Sequence, residues 1–279
     1  MTANVIWIAS YPKSGNTWLR AFLLYLFMNA RERRPLGELA DMSTFDSASG
    51  FFNLAAGENR EIWTEEQTAA WRAAAQREML KRFDQTSFVK THSAFRMWHG
   101  HPMFDLATTA GAVYLVRNPL DIVASLAANI GRPIADIVKI VNTPDFVWPG
   151  TRPQVPQLVG SWSENVTSWT GRPNSAFHVM RYEDMVQDAA AAFAGLTAFL
   201  KLNPPAERFQ RAIELASFES LQQTEEQWGF GERTVVQKKF FRNGRVGGWR
   251  DELTPEQAMS IVDAHREQMA RFGYVPEGM

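Results

Sequence analysis

The sequence predicts an α/β fold: one domain over residues 1–279, with a central, mainly parallel sheet flanked by helices. Three observations carry this expectation. Apolar, β-rich runs recur at residues 5–9, 87–90, 112–116 and 176–180 with helical patterns between them, the alternation of a doubly wound sheet. The first run feeds the loop Tyr11-Pro12-Lys13-Ser14-Gly15-Asn16-Thr17-Trp18 and then an apolar helical stretch over 19–28, a P-loop-like strand, loop and helix. With 45% hydrophobic residues among 279, the chain can bury a full core.

The elements follow in order. Residues 61–83 read as a long amphipathic helix with Trp63, Ala70, Trp71, Ala74 and Leu80 on an approximate apolar face. The run at 112–116 is broken by Arg117-Asn118-Pro119, and a helical pattern follows over 120–128. Residues 129–160 carry Pro133, Pro144, Pro149, Pro153 and Pro156 and predict a long irregular excursion over the surface. Helical spacing returns at 158–169 and 189–200. Thr254 and Pro255 form an N-cap and a first-turn proline, opening a last helix that runs to about Phe272.

Composition excludes several classes. A net charge of −1 provides no basic field to attract a nucleic-acid backbone. The absence of cysteine rules out disulfides and thiolate metal sites. The N-terminus opens into a strand without the pattern of a signal peptide, and the longest apolar run, 19–28, contains Arg20 and is too short to span a bilayer. A soluble cytoplasmic protein with no membrane or nucleic-acid partner is expected.

The chemistry concentrates at the carboxyl ends of the predicted strands, where ligands of such sheets bind. Gly15 lets the backbone approach an oxyanion, Ser14 and Thr17 add hydroxyls, Lys13 adds charge, and the helix N-terminus adds its dipole. The lysine precedes a single glycine, so this is not a Walker A loop. Arg117 leaves a strand end and Ser125 lies two turns into the next helix, so the two can grip a second phosphate from two sides. The glycine-rich basic stretch Phe241-Arg242-Asn243-Gly244-Arg245-Val246-Gly247-Gly248-Trp249-Arg250 can close over the same ligand. His92 follows the second strand on this edge, and a histidine with a pKa near neutrality suits proton abstraction.

Together these motifs resemble the sulfotransferases that use 3′-phosphoadenosine 5′-phosphosulfate (PAPS) as donor, over about residues 5–272. Residues 11–18 look like the family's 5′-phosphosulfate loop, usually Tyr-Pro-Lys-Ser-Gly-Thr-Thr-Trp. The stretch from Tyr114 through Arg117 to Ser125 looks like its 3′-phosphate motif, and residues 242–249 look like its Arg-Lys-Gly-x-x-Gly-Asp-Trp loop. Asn16, Asn243 and Gly248 depart from those patterns. The resemblance implies PAPS as co-substrate without a metal, and a small or medium-sized acceptor bearing a hydroxyl or, less favoured, an amine. It also implies residue roles. His92, in Lys90-Thr91-His92, is the general base, Lys13 stabilises the leaving phosphate, and Lys90 supports sulfate charge. Trp18 and Tyr182 lie near the adenine, and Ser217 and Phe218 add nucleotide contacts. The family's common dimer motif would fall near residues 250–259, where Thr254 fits and Pro255 and Met259 do not, leaving the oligomeric state open.

Other residues carry weaker expectations. His99 and His101 belong to the acceptor site or the surface, His178 to a buried, hydrogen-bonded strand position, and His265 to a solvent-facing helix position. Glu183 and Asp184 read as structural rather than metal-binding. Segments 41–60, 93–104, 129–160 and 222–240, rich in Phe and Trp, are expected to build an acceptor pocket for an apolar or aromatic body. Two alternatives stand beside the sulfotransferase reading. A P-loop kinase is opposed by the misplaced lysine and the lack of a Mg²⁺ carboxylate, and a non-catalytic nucleotide-binding module by the intact Lys13 and His92.

Overall fold

The computed structural model describes residues 4–83, 86–234, 236–237 and 239–279. Strand β1 (Val5–Ser10) leads into helix α1 (Asn16–Met28); a short α2 (Leu39–Met42) and β2 (Ser43–Phe45) precede α3 (Ser49–Ala56), α4 (Glu65–Leu80) and β3 (Ser87–Thr91). A small hairpin, β4 (Met97–Trp98) and β5 (His101–Pro102), comes before β6 (Thr109–Val116), α5 (Pro119–Ile130) and α6 (Ile134–Asn142). A second hairpin, β7 (Val147–Trp148) and β8 (Gln157–Leu158), precedes α7 (Trp162–Thr170), β9 (Phe177–Arg181), α8 (Tyr182–Gln187) and α9 (Ala189–Phe199). Helices α10 (Ala206–Leu215), α11 (Phe218–Trp228) and α12 (Pro255–Arg271) complete the chain. Among the described residues no helix is long and apolar enough to cross a membrane.

The central sheet has the order β2-β3-β1-β6-β9, and every pairing in it is parallel. β1 sits in the middle because it is apolar from Val5 to Ala9, as a strand covered on both faces must be. Val5, Trp7 and Ala9 join a core built with α4, α5, α7 and α12, whereas Ile8 joins the opposite core with α1 and α9. Ala9 is level with Thr91 on β3 and Tyr114 on β6. The loops after these strands, starting at Tyr11, His92 and Arg117, therefore leave the same edge side by side.

The helices differ from the expectations in instructive ways. The helix expected over 61–83 runs from Glu65 to Leu80, started by a capping box between Thr64 and Gln67. Residues 129–160 are not irregular throughout. Ile134, Ile137, Val138 and Val141 have helical spacing, form α6, and pack toward α5 and α12, and the second hairpin follows. The dense prolines hid this. Strand β2 escapes sequence reading because three residues are too short to show a period. Helix α12 begins as expected, with Thr254 capping and Pro255 in the first turn. His265 is buried, not solvent-facing: its Nε2–H donates to Asn142 Oδ1 (3.1 Å) and its Nδ1 accepts from Ser163 Oγ (2.8 Å), and burial pushes its pKa down to about 4. The pattern misled because α12 is covered on two sides, by α6 and α7.

A buried ion pair braces the strand that leads to His92. Arg72 of α4 donates through Nη1 to Asp46 Oδ2 (2.8 Å), both side chains are 1% exposed, and Thr91 Oγ1 donates to the same oxygen (2.9 Å). Burial pushes Asp46 up and Arg72 down, and each holds the other against that push. Arg72→Met leaves an uncompensated carboxylate and is expected to cost about 3–5 kcal/mol of stability, read from a urea midpoint. A loss below about 1 kcal/mol, the scale of a surface pair, would contradict this account.

Candidate active site

The loop after β1 winds tightly. Lys13 and Gly15 both take left-handed conformations, with φ of 69° and 99°, and Gly15 begins α1 with no side chain capping the helix. A Cβ at Gly15 would lie 2.8 Å from the Tyr182 ring, so glycine is needed for space as well as for φ. Asn16 does not point its amide at the cleft: Nδ2 donates to Ile8 O (2.9 Å) and pins the loop to β1. Arg117, just past β6, donates through Nη1 to Lys13 O (2.9 Å) and through Nη2 to Arg245 O (3.3 Å). One guanidinium thus ties the first loop to the glycine-rich C-terminal loop.

That second loop lies over the cleft. Tyr182 Oη donates to Gly244 O (3.3 Å), and the N–H groups of Gly247 and Trp249 donate to the buried Asp121 carboxylate at 2.8 and 3.0 Å. A Cβ at Gly244 would come within 2.7 Å of the Phe218 ring, which allows only glycine there. Arg242 is held in a two-pronged pair with Glu252, at 2.6 and 3.1 Å.

Between the loops lies a cleft of about 940 Å³. Lys13, Gly15, Asn16, Thr17 and Trp18 line it, as do Lys90, His92, Arg117, Ser125, Tyr182 and Phe218, and the Phe241 to Gly244 stretch closes it. Of the expected site residues, Ser14 and Ser217 alone stand outside the wall. The Ser14 hydroxyl is buried with no partner among the described residues, and Ser217 caps α11, accepting from the Ser220 N–H. Of the expected pocket segments, 93–104 turns away from the cleft, and His99 and His101 go with it. His178 makes no hydrogen bond through its ring among the described residues and stacks on Phe199 at 5.2 Å instead, near the start of β9 and away from this edge. Glu183 accepts from the Asn118 N–H (3.0 Å) and Tyr274 Oη (2.6 Å), and Asp184 pairs with Arg181, so both carboxylates are spent on structure.

Electrostatics set the protonation states. Lys13 Nζ sits 4.2 Å above the Phe240 ring. Burial, with Lys90 and Arg117 nearby, pushes its pKa down to about 8. The His92 Nδ1 is 2.8 Å from Ser10 O, which can only accept, so Nδ1 carries the proton and the unprotonated Nε2 remains as an acceptor. Burial, and then Lys90, hold the ring at about 3, well below the usual histidine range. Asn165 fixes the backbone here, donating to both His92 O (3.0 Å) and Val159 O (2.8 Å).

Two residues of this site have little or no sequence signal. Glu232 bridges Arg20 Nη2 (2.7 Å) and Lys90 Nζ (2.9 Å). Burial pushes its carboxyl up, but Lys90 and Arg20 outweigh that and hold it at about 2. Nothing around a lone glutamate in Gly-Phe-Gly-Glu forecasts such partners. Asp121 was accessible to reasoning, because it lies four residues after Arg117 and one helical turn before Ser125, on the same face of α5.

A parallel α/β sheet with a cation-lined cleft at the ends of β1, β3 and β6, roofed by a glycine-rich loop, defines a protein of the doubly wound class whose cleft has the chemistry to receive an anion. Residues 4–273 match the sulfotransferase domain family, and the chain belongs to it; this is a family of enzymes. The chain is 23% identical over 274 residues to a 3-beta-hydroxysteroid sulfotransferase of Cavia porcellus, covering 96% of this chain and 84% of that one. It is 27% identical over 270 residues to sulfotransferase 1E1 of Rattus norvegicus, covering 94% and 81%. Two solved structures share the fold. Mouse sulfotransferase SULT7A1 complexed with PAP has a TM-score of 0.62 at 21% identity, covering 95% and 84% of the two chains. Retinol dehydratase in a complex with retinol and PAP has a TM-score of 0.65 at 19% identity, covering 96% and 82%.

Proposed function

We propose that this protein transfers a sulfuryl group from PAPS to a hydroxyl of a small or medium-sized acceptor. The observation that carries the reading is His92: its Nδ1–H is committed to Ser10 O, its Nε2 lone pair is left open, and Lys13 and Lys90 line the same cleft. Two buried donors also support a nucleotide ligand. Trp18 Nε1 and Arg117 Nε, of residues on the cleft wall, have no hydrogen-bond partner among the described residues, although buried polar groups are nearly always paired. They belong to the segments proposed to hold the adenine and the 3′-phosphate.

When bound, the donor supplies an activated sulfuryl group on its 5′-phosphate. Around it we assign Lys13, Ser14, Gly15, Asn16, Thr17 and Trp18 to the phosphosulfate and adenine end. Arg117, Ser125 and the Arg242 to Gly244 stretch fall to the 3′-phosphate. Tyr182, Phe218 and Phe241 complete the walls, and Ser217, outside them, is assigned the capping of the helix that carries Phe218. Lys13 places a positive charge where the leaving phosphate becomes more negative. His92 Nε2 takes the proton of the acceptor hydroxyl. Lys90, steadied by Glu232, supports sulfate charge. Donor-dependent transfer of labelled sulfate tests the activity, and thermal shift with adenosine 3′,5′-bisphosphate against ATP tests the nucleotide.

Arg117→Ala separates the two phosphates. A charge-assisted hydrogen bond contributes about 1.5–3 kcal/mol, so the variant is expected to bind adenosine 3′,5′-bisphosphate about 10- to 150-fold more weakly. Binding of adenosine 5′-monophosphate is expected to change far less. Because Arg117 also holds Lys13 O and Arg245 O, equal losses for both ligands would assign it to loop support instead.

A further inference from the structure

The hairpin of β7 and β8 contributes to the cleft wall. Trp148 and Gln157 are directly paired across it, so their side chains share one face, and both line the cleft. Gln157 is 8% exposed, yet its side-chain amide makes no hydrogen bond with any described residue. The amide nitrogens of two other lining residues are taken: Asn16 Nδ2 donates to Ile8 O and Asn129 Nδ2 to Gln237 Oε1. The hairpin is also firmly held. Ala94 N donates to Leu158 O (2.8 Å) and Val155 N to Ser47 O (2.8 Å), which straps it beside the segment that follows His92.

An amide without a protein partner at a fixed place in a cleft wall penalises an apolar occupant, which strips its water and offers nothing in return. A group that hydrogen-bonds to it is selected for the same reason. Resting on the reading of this cleft as the site of sulfuryl transfer, we propose that Gln157 is a specificity-determining residue. The acceptor would then be a ring-bearing molecule carrying a second hydrogen-bonding group besides its reacting hydroxyl, with its ring against Trp148 and that second group on the Gln157 amide. This narrows the acceptor expected from aromatic content alone, setting polyfunctional rings such as hydroxyaryl amides and glycosides above plain phenols and sterols.

The test uses matched acceptors that differ only in the second group: para-hydroxyphenylacetamide against para-isobutylphenol, and para-hydroxyphenyl glucoside against para-(cyclohexylmethoxy)phenol. Their affinities are measured by calorimetry on the full chain, with and without adenosine 3′,5′-bisphosphate. The expected result is a preference of about 10- to 100-fold for the polar member of a pair, collapsing toward parity in Gln157→Leu and largely retained in Gln157→Asn. Adenosine 3′,5′-bisphosphate affinity and the thermal midpoint of Gln157→Leu report that the variant is folded. Parity or an apolar preference in the wild type, no binding of either polar member, or a preference that survives in Gln157→Leu would each overturn the proposal. Failure of the donor assignment has a separate signature: adenosine 3′,5′-bisphosphate would not bind, while the acceptor comparison on the nucleotide-free protein would still be read.

Discussion

His92→Ala is expected to lower turnover by ~10²–10⁴-fold, the scale of losing a general base, while affinity for adenosine 3′,5′-bisphosphate stays within about twofold. The separation follows from the geometry. The ring hangs from Ser10 O by its Nδ1–H and faces the cleft with Nε2, so its removal takes away a proton acceptor without disturbing Lys13 or Arg117. Its pKa of about 3, set by burial and then Lys90, belongs to a cleft crowded with positive charge. A polyanionic nucleotide opposes that field and raises the ring toward the range where it is an effective base. Titration of the His92 ring signals by NMR, with and without adenosine 3′,5′-bisphosphate, is expected to show an upward shift on binding. A variant that keeps near-full turnover with an acceptor hydroxyl of high pKa would remove His92 from this role.

Lys13→Met is expected to be nearly as damaging, lowering turnover by about 10²–10³-fold through loss of a preorganised charge. Lys13 also predicts a pH dependence. Its pKa is lowered to about 8, chiefly by burial and then by Lys90 and Arg117, so the ammonium form is complete below that value and is lost as pH rises through it. Anionic donor binding favours the charged form, so the apparent affinity of the free protein is expected to weaken above about pH 8 and not on the acid side. Lys13→Arg keeps its charge at every pH tested and is expected to abolish this alkaline limb, even where turnover suffers from the altered reach. An alkaline limb that persists unchanged in Lys13→Arg would move the titration to another group.

Much of the proposed donor half was legible because it is local. The stretch from Tyr11 to Trp18 encodes strand exit, tight turn and helix start within a few residues, and the structure places Lys13, Gly15, Thr17 and Trp18 on the cleft wall. Arg117 and Ser125 are set by a strand end and a helical period, which sequence spacing reports faithfully. Lys90 and His92 were reachable for the same reason, sitting at the end of an apolar run. The readings that went astray involve partners distant in the chain. His265 was assigned to solvent because its helix gives no hint of α6 and α7 lying across it. The helical pattern of α6 was submerged among prolines, and segment 93–104 was placed in a pocket it does not line.

By itself the sequence determined the α/β class, the exit of the motif-bearing loops at the carboxyl ends of the strands, and the charged and glycine positions of each motif. These depend on periodicity, turn chemistry and backbone freedom, all of which act over a few residues. Only the tertiary structure decided what those groups meet. Glu232 reaches Lys90 from 142 positions away. Asp121 pins a loop 126 positions beyond it, and Gln157 is left without a partner among the described residues in a wall assembled from distant segments. Protonation and pairing follow from burial and from charges that are close in space. Burial at a given residue is set by whichever distant elements pack over it, and no local pattern carries that information.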